Sequence, residues 1–153
     1  MIELDPIDRR ILHRLQERAD CSLEELGEEV GLSRNACWRR VKLMEERGVI
    51  RARVALIDPE VIGLSLTVFI LIRTDRHDSA WLDQFAKATR SLPEITGVWR
   101  MTGDLDYMVR AEVSDVAAYD ILYRRLIERV EIADVSASFV MERVKETTAL
   151  PVL

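Results

Sequence analysis

Residues 22–48 read SLEELGEEVGLSRNACWRRVKLMEERG, and this stretch decides how the rest of the chain is understood. Ser22 with Glu25 three residues on is a capping box, which marks a helix start, and Leu23, Leu26 and Val30 recur on one face until Gly31 ends the run. Ser33 then caps a further helix in which Cys37, Val41 and Met44 fall at i, i+4 and i+7 before Gly48 stops it. Upstream, Asp5 and Pro6 open an earlier helix carrying Ile7, Ile11, Leu12 and Leu15 on one side and Arg9, Arg10 and Arg14 outside it. Three short helices joined by tight turns form a tri-helical helix-turn-helix pattern, expected over residues 1–48.

Advancing about 100° per residue from the inward Cys37 leaves Asn35, Trp38, Arg39 and Lys42 pointing away from the core, with Arg34 at the flank. Asparagine pairs with adenine edges, and arginine pairs with guanine or phosphate. Ser33 and the helix start suit a phosphate held by backbone amides. These six residues are the candidate contacts with double-stranded DNA. Trp38 either stacks on the nucleic acid or packs beside the first helix, and Arg51 and Arg53 either touch DNA backbone or are ordinary exposed residues. Cys37 reads as a small core residue rather than a redox switch.

Charge agrees once its distribution is considered. The chain carries a formal net charge of −5, but residues 33–53 hold seven cations against two carboxylates, while residues 17–31 are acidic. One surface of an acidic protein can therefore be strongly positive.

After Gly48, VIRARVAL (49–56) alternates, with Ile50, Ala52, Val54 and Leu56 on one side, and reads as a strand. IDPEVIG (57–63) reads as a hinge, so 49–62 is the expected linker. From residue 63 to 153 the order becomes strand LSLTVFILIR (64–73), a helix capped by Asp78 or Ser79, strands ITGVWRMT (95–102) and DYMVRAEV (106–113), a helix capped by Ser114 or Asp115, and strand VSASFVMERV (135–144). The two helices turn Trp81, Leu82, Phe85 and Ala88, and Val116, Tyr119, Leu122 and Leu126, inward. This β-α-β-β-α-β order is the ferredoxin-like split unit, and the whole is an α+β protein. Its helices cover one sheet face only, so the apolar residues of the other face call for a partner subunit.

The turn GDLDY (103–107) has four readings: a catalytic pair, a metal site, a ligand-binding turn or a plain hairpin. Catalysis lacks a nucleophile or an adjacent histidine, since His13 lies in the first helix and His77 in a loop. A carboxylate metal site would need more oxygen ligands at regular spacing. Cys21 and Cys37 form no CxxC and support neither a disulfide framework nor zinc. The start MIELDPIDRR has no signal-peptide character, and the longest apolar stretch, LSLTVFILI, is far short of the roughly 20 residues of a membrane helix. A cytoplasmic protein without cofactor, metal or membrane contact is expected.

LDPIDRRILHRLQE, LEELGEEVGLSRNACWRRVKLMEERGVI, VALIDPEVIGL and GDLDYMVRAEV, in that order, resemble the Lrp/AsnC family of feast/famine regulators across essentially the whole chain. The resemblance implies a nucleoid-associated transcriptional regulator of amino-acid metabolism that dimerises through its sheet and assembles further, to an octamer or similar disk. It also implies a small amino-acid effector held between dimers beside Met101, Gly103, Asp104, Leu105, Asp106 and Tyr107. Many members start the recognition helix with Ser-Pro-Thr-Pro, where this chain has Ser33, Arg34, Asn35 and Ala36, so its operator preference is expected to differ. The second half is similar to the cysteine-responsive branch, which suggests a sulfur-containing effector. The alternative is a sensing assembly protein with little specific DNA binding.

Overall fold

The computed structural model describes residues 3–152 and falls into two compact units, Met1–Leu56 with Lys145–Leu153, and Ile57–Val144. The first holds α1 (Pro6–Glu17), α2 (Leu23–Val30) and α3 (Arg34–Glu46). Each helix begins as the caps require. The Asp8 N–H donates to Asp5 Oδ1 at 2.8 Å, Ser22 and Glu25 form the reciprocal box, and the Ser33 hydroxyl oxygen accepts from the Ala36 N–H at 3.3 Å. Ile11, Leu12, Leu26, Val30, Cys37, Val41 and Met44 make one buried cluster.

The turn between α2 and α3 depends on Gly27. A Cβ there would lie 2.7 Å from the Leu32 carbonyl oxygen, so only glycine lets the chain fold back this tightly. Gly31 follows at φ 76°, the left-handed stop of α2.

Two expectations about the connections need correction. Residues 49–56 pair with no strand of this chain: Val54 and Leu56 are each 71% exposed, and among the described residues no ladder partner meets this segment. Alternation alone supplies a suitable surface, but a strand also needs a neighbour for its N–H and C=O groups. The end of the chain also groups differently from the expected 63–153 domain. The Leu150 N–H donates to Gln16 Oε1 at 2.6 Å, Gln16 Nε2 donates to the Leu150 carbonyl at 3.1 Å, and Val152 packs on the helical core.

The second unit contains β1 (Leu66–Arg73), α4 (Ser79–Arg90), β2 (Ile95–Arg100), β3 (Tyr107–Val113), α5 (Val116–Ile127) and β4 (Asp134–Phe139). The strands pair antiparallel in the order β2-β3-β1-β4. Each is shorter than the alternation suggested, and β4 stops at Phe139 with one further bond from the Val140 N–H to the Thr67 carbonyl. Asp78 and Asp115 are the caps of α4 and α5.

Register explains the core. Val68, Ile70 and Ile72 lie opposite Ala111, Val109 and Tyr107, all buried beneath Trp81, Phe85 and Ala88 of α4 and Leu122 and Leu126 of α5. Val116, expected inward, opens α5 on its exposed side. The buried Trp81 indole N–H donates to the Glu131 carbonyl at 2.7 Å, so burying it leaves no donor unpaired.

The opposite sheet face combines half-buried Phe69, Leu71 and Met108 with a polar group around Glu112. Glu112 Oε2 accepts from the Thr67 hydroxyl at 2.7 Å and Oε1 from Arg110 Nε at 2.8 Å, while Arg143 Nη2 donates to Thr67 Oγ1 at 2.9 Å.

Asp78 gives the fold a pH signature. Its carboxyl sits below the ordinary carboxylate value, chiefly because it accepts the Trp81 backbone N–H and also because Arg76 lies beside it. A depressed folded-state value adds stability that is complete above the unfolded value of about 3.9 and disappears as pH falls through the folded one. Asp78→Asn keeps a capping oxygen without the charge. It is expected to melt below the wild type at pH 7 and level with it near pH 2, read by circular dichroism. A gap independent of pH would mean that the charge contributes nothing.

Candidate nucleic-acid interface and effector turn

The inward stripe of α3 leaves a continuous outer surface, and its side chains differ in how free they are. Asn35 and Arg39 are exposed, and among the described residues neither has a side-chain partner. Arg34 Nε lies 2.7 Å from Glu24 Oε1, an exposed pair that a stronger anion can displace. Trp38 is 47% exposed, with the Lys42 ammonium 5.0 Å from its ring centroid. The indole therefore faces outward, away from the buried stripe. Ser33 uses its hydroxyl oxygen as the helix cap and still has its O–H to donate.

Arg40 behaves differently and was absent from the sequence-based set. Its Nη1 donates to Asp5 Oδ2 at 2.6 Å and to Asp8 Oδ1 at 2.7 Å, tying α3 to the start of α1. The Asp8 backbone N–H and then Arg40 hold the Asp5 carboxyl below its ordinary value, and the same pairing raises Arg40. A second link joins α1 to α2, where Arg14 Nη2 donates to Glu29 Oε1 at 2.7 Å and Arg10 Nη2 to the Glu29 carbonyl at 2.6 Å. Cys37 is fully buried, and burial, then the nearby Cys21, push its thiol up, which opposes thiolate chemistry.

The turn after β2 separates its two aspartates into different roles. Asp106 is built into the backbone: its N–H donates to the Ile72 carbonyl at 3.0 Å, its own carbonyl accepts from the Met101 N–H at 2.8 Å, and Oδ2 accepts from the Thr74 N–H at 2.9 Å. Asp104 is exposed, and its carboxylate has no partner among the described residues. Only its carbonyl is held, by Arg73 Nε at 2.8 Å. Gly103 adopts φ 98°, which the turn needs and which disfavours any other residue.

Met101 and Asp104 therefore present exposed groups, and Leu105 is half-buried. The Tyr107 ring lies in the core, with centroids 4.7 Å from Phe85 and 5.7 Å from Trp81. Arg100 at the end of β2 is exposed and, among the described residues, unpaired. One aspartate of this turn is thus tied to the backbone and the other is open to solvent.

The AsnC-type helix-turn-helix domain matches residues 4–45, and the Lrp/AsnC ligand binding domain matches residues 67–150. The chain belongs to the Lrp/AsnC family. It is 46% identical over 149 residues to the glutamate uptake regulatory protein of Zymomonas mobilis, covering 97% of this chain and 91% of that one. It is 45% identical over 150 residues to the DNA-binding transcriptional activator DecR of Escherichia coli, covering 97% and 99%. Among solved structures, an AsnC family transcriptional regulator from Agrobacterium tumefaciens superposes with a TM-score of 0.94 at 48% identity, covering 97% of both chains. A transcriptional regulator from Neisseria meningitidis in complex with L-Met superposes with a TM-score of 0.92 at 35% identity, again covering 97% of both. This Lrp/AsnC chain is a transcriptional regulator with a helix-turn-helix domain, and not an enzyme.

The different roles of the two aspartates can be measured. Removing a carboxylate that accepts a backbone N–H costs on the order of 1–2 kcal/mol. Asp106→Ala is expected to lower the melting temperature, and Asp104→Ala to leave it where it is. Equal losses would contradict this division.

Proposed function

We propose that this Lrp/AsnC regulator reads specific DNA with α3 and changes its occupancy when an amino acid binds beside residues 101–107. The observation that carries the reading is the outer face of α3, where Asn35 and Arg39 are exposed beside Trp38 and Lys42 and, among the described residues, have no side-chain partner. Side chains paired within the fold, as Lys42 is with Trp38 and, at 3.8 Å, with Glu46, have to be released before meeting DNA; Asn35 and Arg39 do not. Ser33 and Arg34 at the helix start complete the contact set, with an amide-rich terminus suited to phosphate.

At the turn, an amino acid meets complementary charge. The exposed Asp104 carboxylate suits the ammonium, and Arg100 or the backbone amides around Gly103 suit the carboxylate. Met101 and Leu105, with the half-exposed Trp99, offer apolar surface to the effector side chain. The L-Met complex of the Neisseria relative supports a sulfur-containing amino acid. The committed aspartate, Asp106, and Tyr107 shape this site from beneath.

Homodimers form through the open sheet face and assemble further, an octamer being the expected form. Two recognition helices of a dimer then enter successive major grooves, and the effector acts through its different affinity for two states of the assembly. Among the described residues no helix is long and apolar enough to cross a membrane. The regulator works on DNA in the cytoplasm, as part of the nucleoid.

Arg39→Ala tests the reading, against DNA from the promoter region of the protein's own gene and a scrambled competitor. Loss of one such contact is expected to weaken operator binding about tenfold while light scattering shows the oligomer unchanged. Screening the twenty amino acids and sulfur analogues by thermal shift identifies the effector, since a ligand of the folded form raises Tm by mass action. A wild type without preference for its own promoter would favour a sensing assembly protein instead.

A further inference from the structure

Beside the outer face of α3 runs a groove of about 490 Å³ that the sequence-based contact set does not include. It is lined by α3 and by residues leading into α1, with apolar Ala36 and Leu43 and the cations Arg39 and Arg47 among them. Starting from the inward Cys37 at about 100° per residue, Leu43 and Arg47 fall on the flank opposite Trp38 and Lys42. Arg39 lies between the two surfaces and belongs to both.

Charge in the groove is unevenly committed. Arg40 also lines it but is neutralised by Asp5 and Asp8. Arg39 and Arg47 are exposed and have no carboxylate partner among the described residues. They stand eight residues apart, about 12 Å along the helix at 1.5 Å per residue. Two free guanidiniums flanking an apolar wall, where Leu43 is 43% exposed, match a chain of alternating anionic and apolar groups. Continuity with the base-reading face identifies that chain.

The geometry points to this groove as the seat of one DNA sugar-phosphate strand, with Arg39 and Arg47 on phosphates and Leu43 against deoxyribose. The inference rests on α3 reading DNA, and adds a backbone grip on its other flank. Glu3, exposed on the groove's rim, opposes the strand and moderates the grip. Such a contact positions the helix without carrying sequence information.

Binding of the full-length protein to operator and scrambled duplexes, titrated across salt, tests it. Arg47→Gln is expected to weaken both duplexes by the same factor, about three- to tenfold. It should also reduce the slope of log K against log salt by about 0.9, the value for one lost phosphate contact. Glu3→Gln is expected to tighten both, whereas Asn35→Ala should remove operator preference and leave the slope alone. Unchanged melting curves for each variant establish that the fold is intact.

The groove assignment is overturned if Arg47→Gln matches the wild type in affinity and slope while Asn35→Ala still loses preference. An acidic peptide would then be the better occupant, and the DNA reading would stand. A loss confined to the operator would also overturn it, by making Arg47 a base contact. If the wild type shows no operator preference, the DNA-reading proposal itself fails, separately from the slope.

Discussion

The helical unit depends on how α3 is seated. Cys37, Val41 and Met44 are pressed against Ile11, Leu12, Leu26 and Val30, and Arg40 is clamped between Asp5 and Asp8. The apolar contacts supply most of the stabilisation, since side chains of this kind contribute about 1.5–3 kcal/mol each when fully buried. The ion pair is partly exposed and contributes less, but it is directional and fixes which way the helix faces. Asp5 serves twice, as cap of α1 and as partner of Arg40. The outer residues of α3 can act together because the inner ones leave the helix little freedom to roll.

The sheet unit solves a different problem on each face. Beneath α4 and α5, aliphatic and aromatic residues pair directly across β1 and β3, so the register and the core are one constraint. On the other face, the nearly buried Glu112 is tolerated because Thr67 and two guanidiniums surround it. At the end of the sheet, Asp106 fastens the 101–107 turn to β1 at Ile72 and Thr74. That anchorage leaves the neighbouring carboxylate, Asp104, exposed on a turn hydrogen-bonded to β1.

Local signals were legible where the governing interaction spans three or four residues. Asp5, Ser22 and Ser33 cap the helices that their spacing announced, and the buried stripe of α3 consists of the residues its periodicity named. Residues 49–56 mark the limit of such signals, because alternation describes a surface and says nothing about whether the chain itself supplies a neighbouring strand. Such signals also passed over Gly27, whose reason is the Leu32 carbonyl five residues away in a turn that periodicity does not describe.

The sequence by itself determined the order of elements, the capped boundaries of the helices, the inward faces and the family resemblance, all of which arise from near neighbours and repeating periods. Tertiary structure alone decided which of several chemically equal groups is free. Arg39 and Arg40 are adjacent and identical in type, yet only Arg40 is neutralised, by carboxylates 32 and 35 residues earlier. Asp104 and Asp106 share one turn, yet Asp106 is claimed by Thr74, 32 residues away. A charged side chain is available to a ligand only if no distant part of its own chain has already satisfied it, and folding alone brings such partners within hydrogen-bond distance.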